Sequence, residues 1–200
     1  MNYILEKTVN TLEIQRSEFI TVLCPINTQD EAKNILDELR KSYPKATHYC
    51  YAYILESYMK FSDDGEPSGT AGKPMLGVLQ SKNISNVLAV VIRYFGGIKL
   101  GAGGLLRAYV NSVSSALDRA ILYEKKLLDV AVLEVPYKYN DSLFYYLNKN
   151  NYVIKKKEFL DAIYVEVSKE LINEKELLEL FSGNIKIDYK QKEEVFVKIK

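Results

Sequence analysis

The alternation of apolar and polar positions predicts the strands of a first domain within residues 1–122. Residues 16–24 alternate at their start, with Phe19 and Thr21 on one side, as expected for a strand. Residues 49–55 form a second apolar run, after which a glycine-rich loop begins. Residues 86–95 contain an unbroken run of apolar residues, which is typical of a strand covered on both faces. Strands separated by helical segments indicate a mixed α/β domain.

Three segments of the same region carry the apolar spacing and the end signals of helices. Thr28 and Glu31 have the spacing of a capping box, in which each side chain hydrogen-bonds a backbone N–H, and the helix that they open should end before Pro44. Pro74 fits the first turn of a short second helix. A long third helix is predicted over residues 103–122, with an apolar stripe made of Leu106, Val110, Val113 and Leu117.

The remaining residues predict a second domain with a different element order. The predicted strands and helices fall at 127–135 (strand), 140–150 (helix), 152–158 and 162–167 (strands), 173–181 (helix) and 185–199 (strand). This βαββαβ order is that of a ferredoxin-like domain. A charged stretch at 123–126 separates the two patterns, so the predicted fold is α+β, with domains over 1–124 and 125–200.

Composition and charge limit the classes of function. The 200 residues are 48% hydrophobic and 26% charged, with a net charge of +1. A near-neutral chain lacks the broadly basic surface of typical nucleic-acid-binding domains, so an anion-binding surface must be local, and recognition of DNA sequence is not expected. No apolar run approaches the roughly 20 residues of a membrane span, no signal-peptide pattern is seen, and two cysteines are too few for a disulfide framework. We therefore expect a cytoplasmic protein without a membrane partner.

Eight of the ten glycines lie in two stretches, residues 62–74 and 93–105. Neither stretch completes a nucleotide-binding consensus, because Pro74 stands where a P-loop needs Ser or Thr, and Leu106 stands where the third glycine of the dinucleotide motif belongs. No cofactor is therefore predicted. Glycine-rich turns at a helix N-terminus still bind anions through their backbone amides, although tight turns and close packing explain the same composition. The predicted ligand-binding residues are Lys73, Arg93, Gly96, Gly97, Lys99, Gly101 and Arg107.

Three acidic residues in the first stretch, Asp63, Asp64 and Glu66, allow three interpretations. Carboxylates in such a loop bind Mg²⁺ or act as acids and bases. Aspartates also start turns, with no ligand involved. In the third interpretation, the acids pair with Arg93 or Lys99 and hold the two stretches together. Whether a metal binds is left open.

The single histidine, His48, precedes Cys50 by two positions on a predicted strand. Residues at that spacing share a face but lie about 6.5–7 Å apart, so a direct hydrogen bond between them is not expected. Cys50 is predicted to be a small buried residue, and His48 is either structural or part of a site. The basic run 155–157 is a solvated face or a phosphate contact.

These motifs resemble the IMPACT family, in its bacterial two-domain branch. The resemblance is carried by residues 46–52, 63–76 and 93–109. It implies an N-terminal domain similar to the second domain of a small-subunit ribosomal protein, and a ferredoxin-like C-terminal domain similar to one in elongation factor G. Eukaryotic relatives act in translational control. The motif positions carried over are His48, Asp63, Asp64, Glu66, Gly69, Thr70, Arg93, Gly96, Gly97, Lys99, Gly101 and Arg107.

Two hypotheses about function follow. The first is a translation-linked regulatory or binding protein that engages RNA, the ribosome or a translation factor through a cleft between the glycine-rich loops. The alternative is an enzyme or binder that acts on a phosphorylated small molecule, with Asp64 or Glu66 as a base or Mg²⁺ ligand. The missing nucleotide consensus and the unpaired histidine favour the binding protein, so no catalytic residue is assigned.

Overall fold

Two β-sheets organise the chain, of which residues 1–199 are described by a computed structural model. One unit comprises residues 1–124 together with Lys198 and Ile199, and the other comprises residues 125–197. We propose that these units are the two domains predicted from the sequence.

The first unit contains nine of the elements. In chain order they are β1 (Asn2–Tyr3), β2 (Thr8–Ile14), β3 (Ser17–Pro25), α1 (Gln29–Ser42), β4 (His48–Leu55), β5 (Tyr58–Ser62), α2 (Gly72–Ser81), β6 (Val87–Tyr94) and α3 (Gly101–Arg119). Its main sheet has the order β2-β3-β6-β4-β5, and every neighbouring pair is antiparallel.

Strand β6 is the centre of this sheet, and all of it except its last residue is buried. Its side chains point alternately to the two faces of the sheet, and each face belongs to a separate apolar core. Val91 belongs to the core that contains residues of α2 and α3, whereas Ile92 belongs to the core that contains residues of α1. The unbroken apolar run is therefore explained, as predicted, by helices on both faces of the strand.

Helix α1 begins with the predicted capping box. The backbone N–H of Glu31 donates to Thr28 Oγ1 at 3.1 Å, and Glu31 Oε2 accepts from the backbone N–H of Asn27 at 2.7 Å. The helix ends at Ser42, before Pro44, as predicted.

The first unit differs from the predictions in its strands and in helix α3. Strands β1, β2 and β5 were not predicted. Strand β5 forms a hairpin with β4, so the first glycine-rich stretch follows β5 rather than β4. The predicted stripe of α3 is wrong at Leu106, whose side chain is 43% exposed. Val113 and Leu117 face the core as predicted, and Val110 packs against it partly buried. The other buried positions of α3 are Leu105, Ala108, Tyr109, Ser112 and Ala116.

The second unit has the predicted βαββαβ order. Its elements are β7 (Tyr123–Val135, which starts in the first unit), α4 (Asn140–Lys149, preceded by a 3₁₀ turn at Tyr137–Tyr139), β8 (Val153–Phe159), β9 (Ile163–Lys169), α5 (Glu174–Leu180) and β10 (Lys186–Lys198). The sheet order β10-β7-β9-β8 is that of a ferredoxin-like fold, and α4 and α5 contribute Leu143, Leu147 and Leu177 to its core. The predicted α+β fold class is confirmed.

The basic run 155–157 lies on β8, and its charges have partners. Lys155 pairs with Glu193 and Glu166, and Lys156 pairs with Glu158 at 2.7 Å. Lys157 Nζ lies 4.5 Å from the centre of the Phe144 ring. Within residues 1–199, no helix is long and apolar enough to cross a membrane.

Candidate functional site

A cavity of about 440 Å³ lies where β6 ends and α3 begins, and we call it the β6–α3 cleft. It draws residues from both glycine-rich stretches and from the start of β4. Its lining comprises Thr47, His48, Glu66, Pro67, Arg93, Phe95, Lys99, Leu100, Gly101, Ala102 and Leu105. Strand pairing explains the meeting of the distant segments, because His48 on β4 lies opposite Arg93 on β6.

Gly96 lets the second glycine-rich stretch pass against the β2–β3 turn. A Cβ atom at this position would lie 1.9 Å from the carbonyl oxygen of Arg16, so no other residue fits without moving the backbone. The Gly96 N–H also donates to Ser17 Oγ at 3.2 Å. Gly101 has φ +67° at the first position of α3, a conformation that favours glycine. Both glycines therefore shape the approach to the helix.

The N-terminus of α3 faces the cleft without a side-chain cap. Leu100 occupies the N-cap position and its side chain accepts no hydrogen bond, while Gly101 and Ala102 line the cavity. The first amides of a helix lack intrahelical partners and carry a partial positive charge. Lys99 lies beside them, exposed, and its side chain has no ion pair or hydrogen bond within residues 1–199. This end of the cleft therefore favours an anion.

A buried ion pair forms the floor of the cleft. Arg93 Nη1 donates to Glu66 Oε1 at 2.6 Å, and the two side chains are only 5% and 3% exposed. Tyr109 donates its hydroxyl to the same oxygen at 2.8 Å, and Arg93 Nη2 donates to Ser17 Oγ at 3.3 Å. Such extra hydrogen bonds offset the cost of removing both charges from water. The contact matches the third interpretation of the acidic residues, with Arg93 rather than Lys99 as the partner.

Cys50 and Tyr109 lie below the ion pair and are not poised for reaction. The Cys50 thiol donates to the carbonyl oxygen of Asp63 at 2.9 Å and lies 3.3 Å from the Tyr109 hydroxyl. Burial raises the pKa of Cys50 to about 12, and burial also raises the pKa of Tyr109 above its ordinary value. Both groups therefore stay protonated at neutral pH, and Cys50 is the buried residue that its position predicted.

Asp63 stabilises the loop that leads into α2. Its Oδ1 accepts from the backbone N–H groups of Ala71 (3.0 Å) and Gly72 (2.8 Å), and its Oδ2 accepts from Gly69 (2.9 Å). Thr70 closes the same turn by donating to the carbonyl oxygen of Pro67 at 2.6 Å. These bonds match the turn interpretation of the acidic residues.

Asp64 joins the same loop to β4 and α1. Its Oδ2 accepts from the backbone N–H of Tyr49 at 2.7 Å, and its Oδ1 accepts from Arg40 Nη2 at 2.7 Å. Within residues 1–199, no three His, Cys, Asp or Glu side chains are placed to hold a metal ion.

His48 presents one ring nitrogen to the cleft. Its Nδ1 lies 2.8 Å from the carbonyl oxygen of Asp64, and because a carbonyl only accepts, Nδ1 carries the proton. In the neutral ring, Nε2 is therefore an acceptor. It lies 3.9 Å from Glu66 Oε2.

The cleft brings together five of the predicted site residues and leaves the others outside its lining. His48, Glu66, Arg93, Lys99 and Gly101 line it. The residues outside are Asp63, Asp64, Gly69, Thr70, Lys73, Gly96, Gly97 and Arg107. Lys73 is exposed at the start of α2, whereas Arg107 Nη1 lies along the first turn of α3, 3.7 Å from where a Gly103 Cβ would be.

Sequence reasoning missed several residues that take part in the site, among them Ser17, Phe95 and Tyr109. Phe95 and Tyr109 fall inside the motif stretches, but nothing in the spacing distinguishes them from core residues.

Comparison with known proteins agrees with the motifs. Residues 15–117 match the family described as the Impact N-terminal domain. The IMPACT family member YvyE of Bacillus subtilis is 39% identical over 156 residues, which cover 76% of this chain and 72% of that protein. The chain belongs to the IMPACT family.

Two further similarities extend this finding. The IMPACT family member YigZ of Escherichia coli is 41% identical over 130 residues, which cover 62% of the present IMPACT-family chain and 64% of YigZ. A crystal structure described as that of a hypothetical protein is 30% identical, with a TM-score of 0.60, and the match covers 96% of this chain and 98% of the other. The matched structure supports the α+β fold.

Proposed function

We propose that this IMPACT-family protein is a translation-linked regulatory or binding protein of the cytoplasm, which engages RNA, the ribosome or a translation factor through the β6–α3 cleft. Family membership supports the link to translation, since the resemblance implies translational control for eukaryotic relatives. The observation that carries the proposal is the uncapped N-terminus of α3 beside the unpaired Lys99.

RNA is the partner that the chemistry of the cleft favours. Amides at a helix N-terminus bind phosphate oxygens, and Lys99 adds a full positive charge. Phe95 lines the same cavity and is 47% exposed as a residue, which suits stacking of its ring against an unpaired base. An exposed aromatic ring next to an anion-binding helix end fits a single-stranded segment better than a duplex.

The charge of the chain limits the footprint to a few phosphates. A net charge of +1 and a single unpaired lysine in the cleft leave little long-range attraction. For single-stranded nucleic acid, the logarithm of the affinity falls by about 0.7 for each neutralised phosphate per tenfold rise in salt. We therefore expect a shallow salt dependence that corresponds to about two phosphates.

The test is the binding of single-stranded and structured RNA across a salt series, together with co-sedimentation with ribosomes. Lys99→Ala should weaken RNA binding about three- to tenfold and lower the salt slope by about 0.7. Lys60→Ala is the matched control, because Lys60 is exposed in the same unit and does not line the cleft. Absence of binding at low salt, with no co-sedimentation, contradicts the proposal.

The volume of the cleft supports a second candidate, a binder of a phosphorylated small molecule. A cavity of about 440 Å³ falls within the range of about 300–1,000 Å³ that such ligands occupy. The Mg²⁺ of that hypothesis has less support, since Asp64 is bonded to a backbone amide and Arg40, and Glu66 accepts from Arg93 and Tyr109. Thermal-shift measurements with nucleotides and sugar phosphates, with and without Mg²⁺, test this candidate. A shift that Lys99→Ala abolishes, with RNA inert, would favour it over the first.

A further inference from the structure

Two hydrogen-bond acceptors lie side by side in the β6–α3 cleft, and no donor among residues 1–199 reaches either of them. His48 Nε2 and Glu66 Oε2 are 3.9 Å apart. The only ring proton of neutral His48 is directed to the carbonyl oxygen of Asp64, and the donors Arg93 and Tyr109 both reach the other oxygen of Glu66. Within residues 1–199, neither Nε2 nor Oε2 receives a hydrogen bond.

The burial of Glu66 makes this arrangement informative. Its side chain is 3% exposed yet lines the cavity, so Oε2 is turned toward the space that a ligand would fill. Because Oε2 keeps contact with solvent in the cleft while the rest of the side chain is buried, a ligand donor can take the place of water there. The pair of acceptors therefore selects a ligand that donates two adjacent hydrogen bonds.

The surroundings determine which double donor fits. A guanidinium or ammonium group would also donate, but Lys99 and the positive end of α3 share the cavity and repel a cation. A vicinal diol is a neutral double donor. Its two oxygens lie closer together than 3.9 Å, so each can approach one acceptor at about 2.7–2.8 Å. An anionic group on the same molecule then suits the helix end.

We infer that the β6–α3 cleft binds a 5′-phosphorylated ribose that has a free 2′,3′-diol. The diol donates to His48 Nε2 and Glu66 Oε2, the phosphate lies at the amides of α3 with Lys99, and the base stacks on Phe95. This inference rests on the proposed binding of RNA by the cleft. The 3′ end of an RNA and a free ribonucleoside 5′-phosphate both carry this chemistry.

The first experiment uses the unmodified protein and changes only the ligand. Fluorescence anisotropy compares a 5′-labelled single-stranded RNA ending in an ordinary ribose with the same RNA ending in a 2′,3′-dideoxynucleotide. A second arm compares AMP with 2′,3′-dideoxy-AMP by calorimetry. We expect the ligand that lacks the diol to bind about tenfold more weakly, because the two acceptors lose the hydrogen bonds that the diol donates.

A variant then tests whether the acceptor pair causes the preference for the ligand with the diol. His48→Phe keeps a ring of similar size and removes Nε2, so the preference for the diol should fall below about threefold. Lys60→Ala should keep the full preference. Circular dichroism checks whether each variant is folded. If His48→Phe does not fold, the comparison of the two ligands on the unmodified protein decides whether the diol is recognised.

The outcomes separate the inference from the proposed function. A diol preference with RNA assigns the site to RNA 3′ ends, and a preference with AMP alone supports the inference while contradicting RNA as the partner. Equal binding of both RNAs, with no discrimination between the two mononucleotides, overturns the inference and leaves RNA binding intact. Absence of binding in both arms overturns the inference and the proposed function together.

Discussion

Glu66 connects the stability of the first unit with the shape of the β6–α3 cleft. One of its oxygens accepts from Arg93 and Tyr109, which come from β6 and α3, while the other faces the cavity. A buried ion pair adds little net stability compared with apolar residues of the same volume, but removal of one partner leaves the other charge uncompensated. The geometry of the cleft therefore depends on both members being present.

We expect Glu66→Ala to lower the free energy of unfolding by about 3–5 kcal/mol, because Arg93 would remain charged and buried. Urea denaturation followed by circular dichroism measures this change. Glu13→Ala is the control, since Glu13 is exposed on β2, and its effect should lie within about 0.5 kcal/mol. A similarly small effect for Glu66→Ala would contradict the role of the ion pair in stability.

Two glycines give a matched pair of substitutions with opposite expected signs. Gly96→Ala places a Cβ atom 1.9 Å from the Arg16 carbonyl oxygen, so the backbone must move and the protein should lose about 2 kcal/mol or more. Gly77→Ala, in helix α2 with nothing within 4 Å of the new Cβ atom, should stabilise the protein by about 0.5–1 kcal/mol. Thermal unfolding distinguishes them, and a stabilising Gly96→Ala would contradict the close approach.

At the scale of elements, the register between β4 and β6 assembles the site. His48 lies opposite Arg93 across the two strands, so the end of each strand delivers one side chain to the same cavity. The hairpin of β4 and β5 then returns the chain, and the loop after β5 carries Glu66 beside them. Asp63 stabilises this loop by accepting from three backbone amides at the start of α2.

We expect Asp63→Ala to destabilise the first unit by about 2 kcal/mol or more, because three N–H groups lose their acceptor. Thr28→Ala, which removes the single side-chain cap of α1, provides the comparison and should cost about 1 kcal/mol. Chemical denaturation of both variants measures the difference. If Asp63→Ala were the milder of the two, the loop would not depend on this carboxylate.

The element order of the second unit, the helices of the first unit and the capping at Thr28 were predictable from sequence, but three strands of the first unit and the pairing of side chains were not. The apolar run of β6 and the capping box at Thr28 are both visible as local patterns in the sequence, and both predictions were confirmed. Strand β5 has no alternation, since its residues are mostly exposed on both faces, so it was missed. Pairing of Glu66 with a cation was one of three interpretations, and it left Arg93 and Lys99 both open as the partner, because only the strand register decides which cation Glu66 meets.

At the scale of the whole molecule, the first unit contains two apolar cores and the second unit one, and both cysteines belong to the first unit. Cys50 packs in the core that contains α2 and α3 residues, whereas Cys24 packs in the core that contains α1 residues. Burial raises the pKa of both thiols. The reactivity of the two thiols therefore reports on the unfolding of the first unit on both faces of its main sheet.

The raised pKa of Cys50 predicts that the first unit loses stability in alkali. The unfolded thiol releases its proton near pH 9, whereas the folded thiol retains its proton up to about pH 12. The unfolded state therefore binds fewer protons between these values, and stability that is fully present below pH 9 falls as the pH rises, by at most about 1.4 kcal/mol per pH unit from this group. Denaturation curves of the full chain at pH 8, 9 and 10 measure the slope.

Cys50→Ala removes this contribution, so its stability should decline less steeply between pH 9 and 10 than that of the unmodified protein. Tyr109, whose pKa burial also raises, adds to the loss at higher pH in both proteins. Labelling with a thiol reagent at pH 8 gives an independent measurement, in which Cys24 and Cys50 should react only as the first unit unfolds. Rapid labelling of Cys50 in the folded protein, or identical slopes for the two proteins, would contradict the burial of the thiol beneath the cleft.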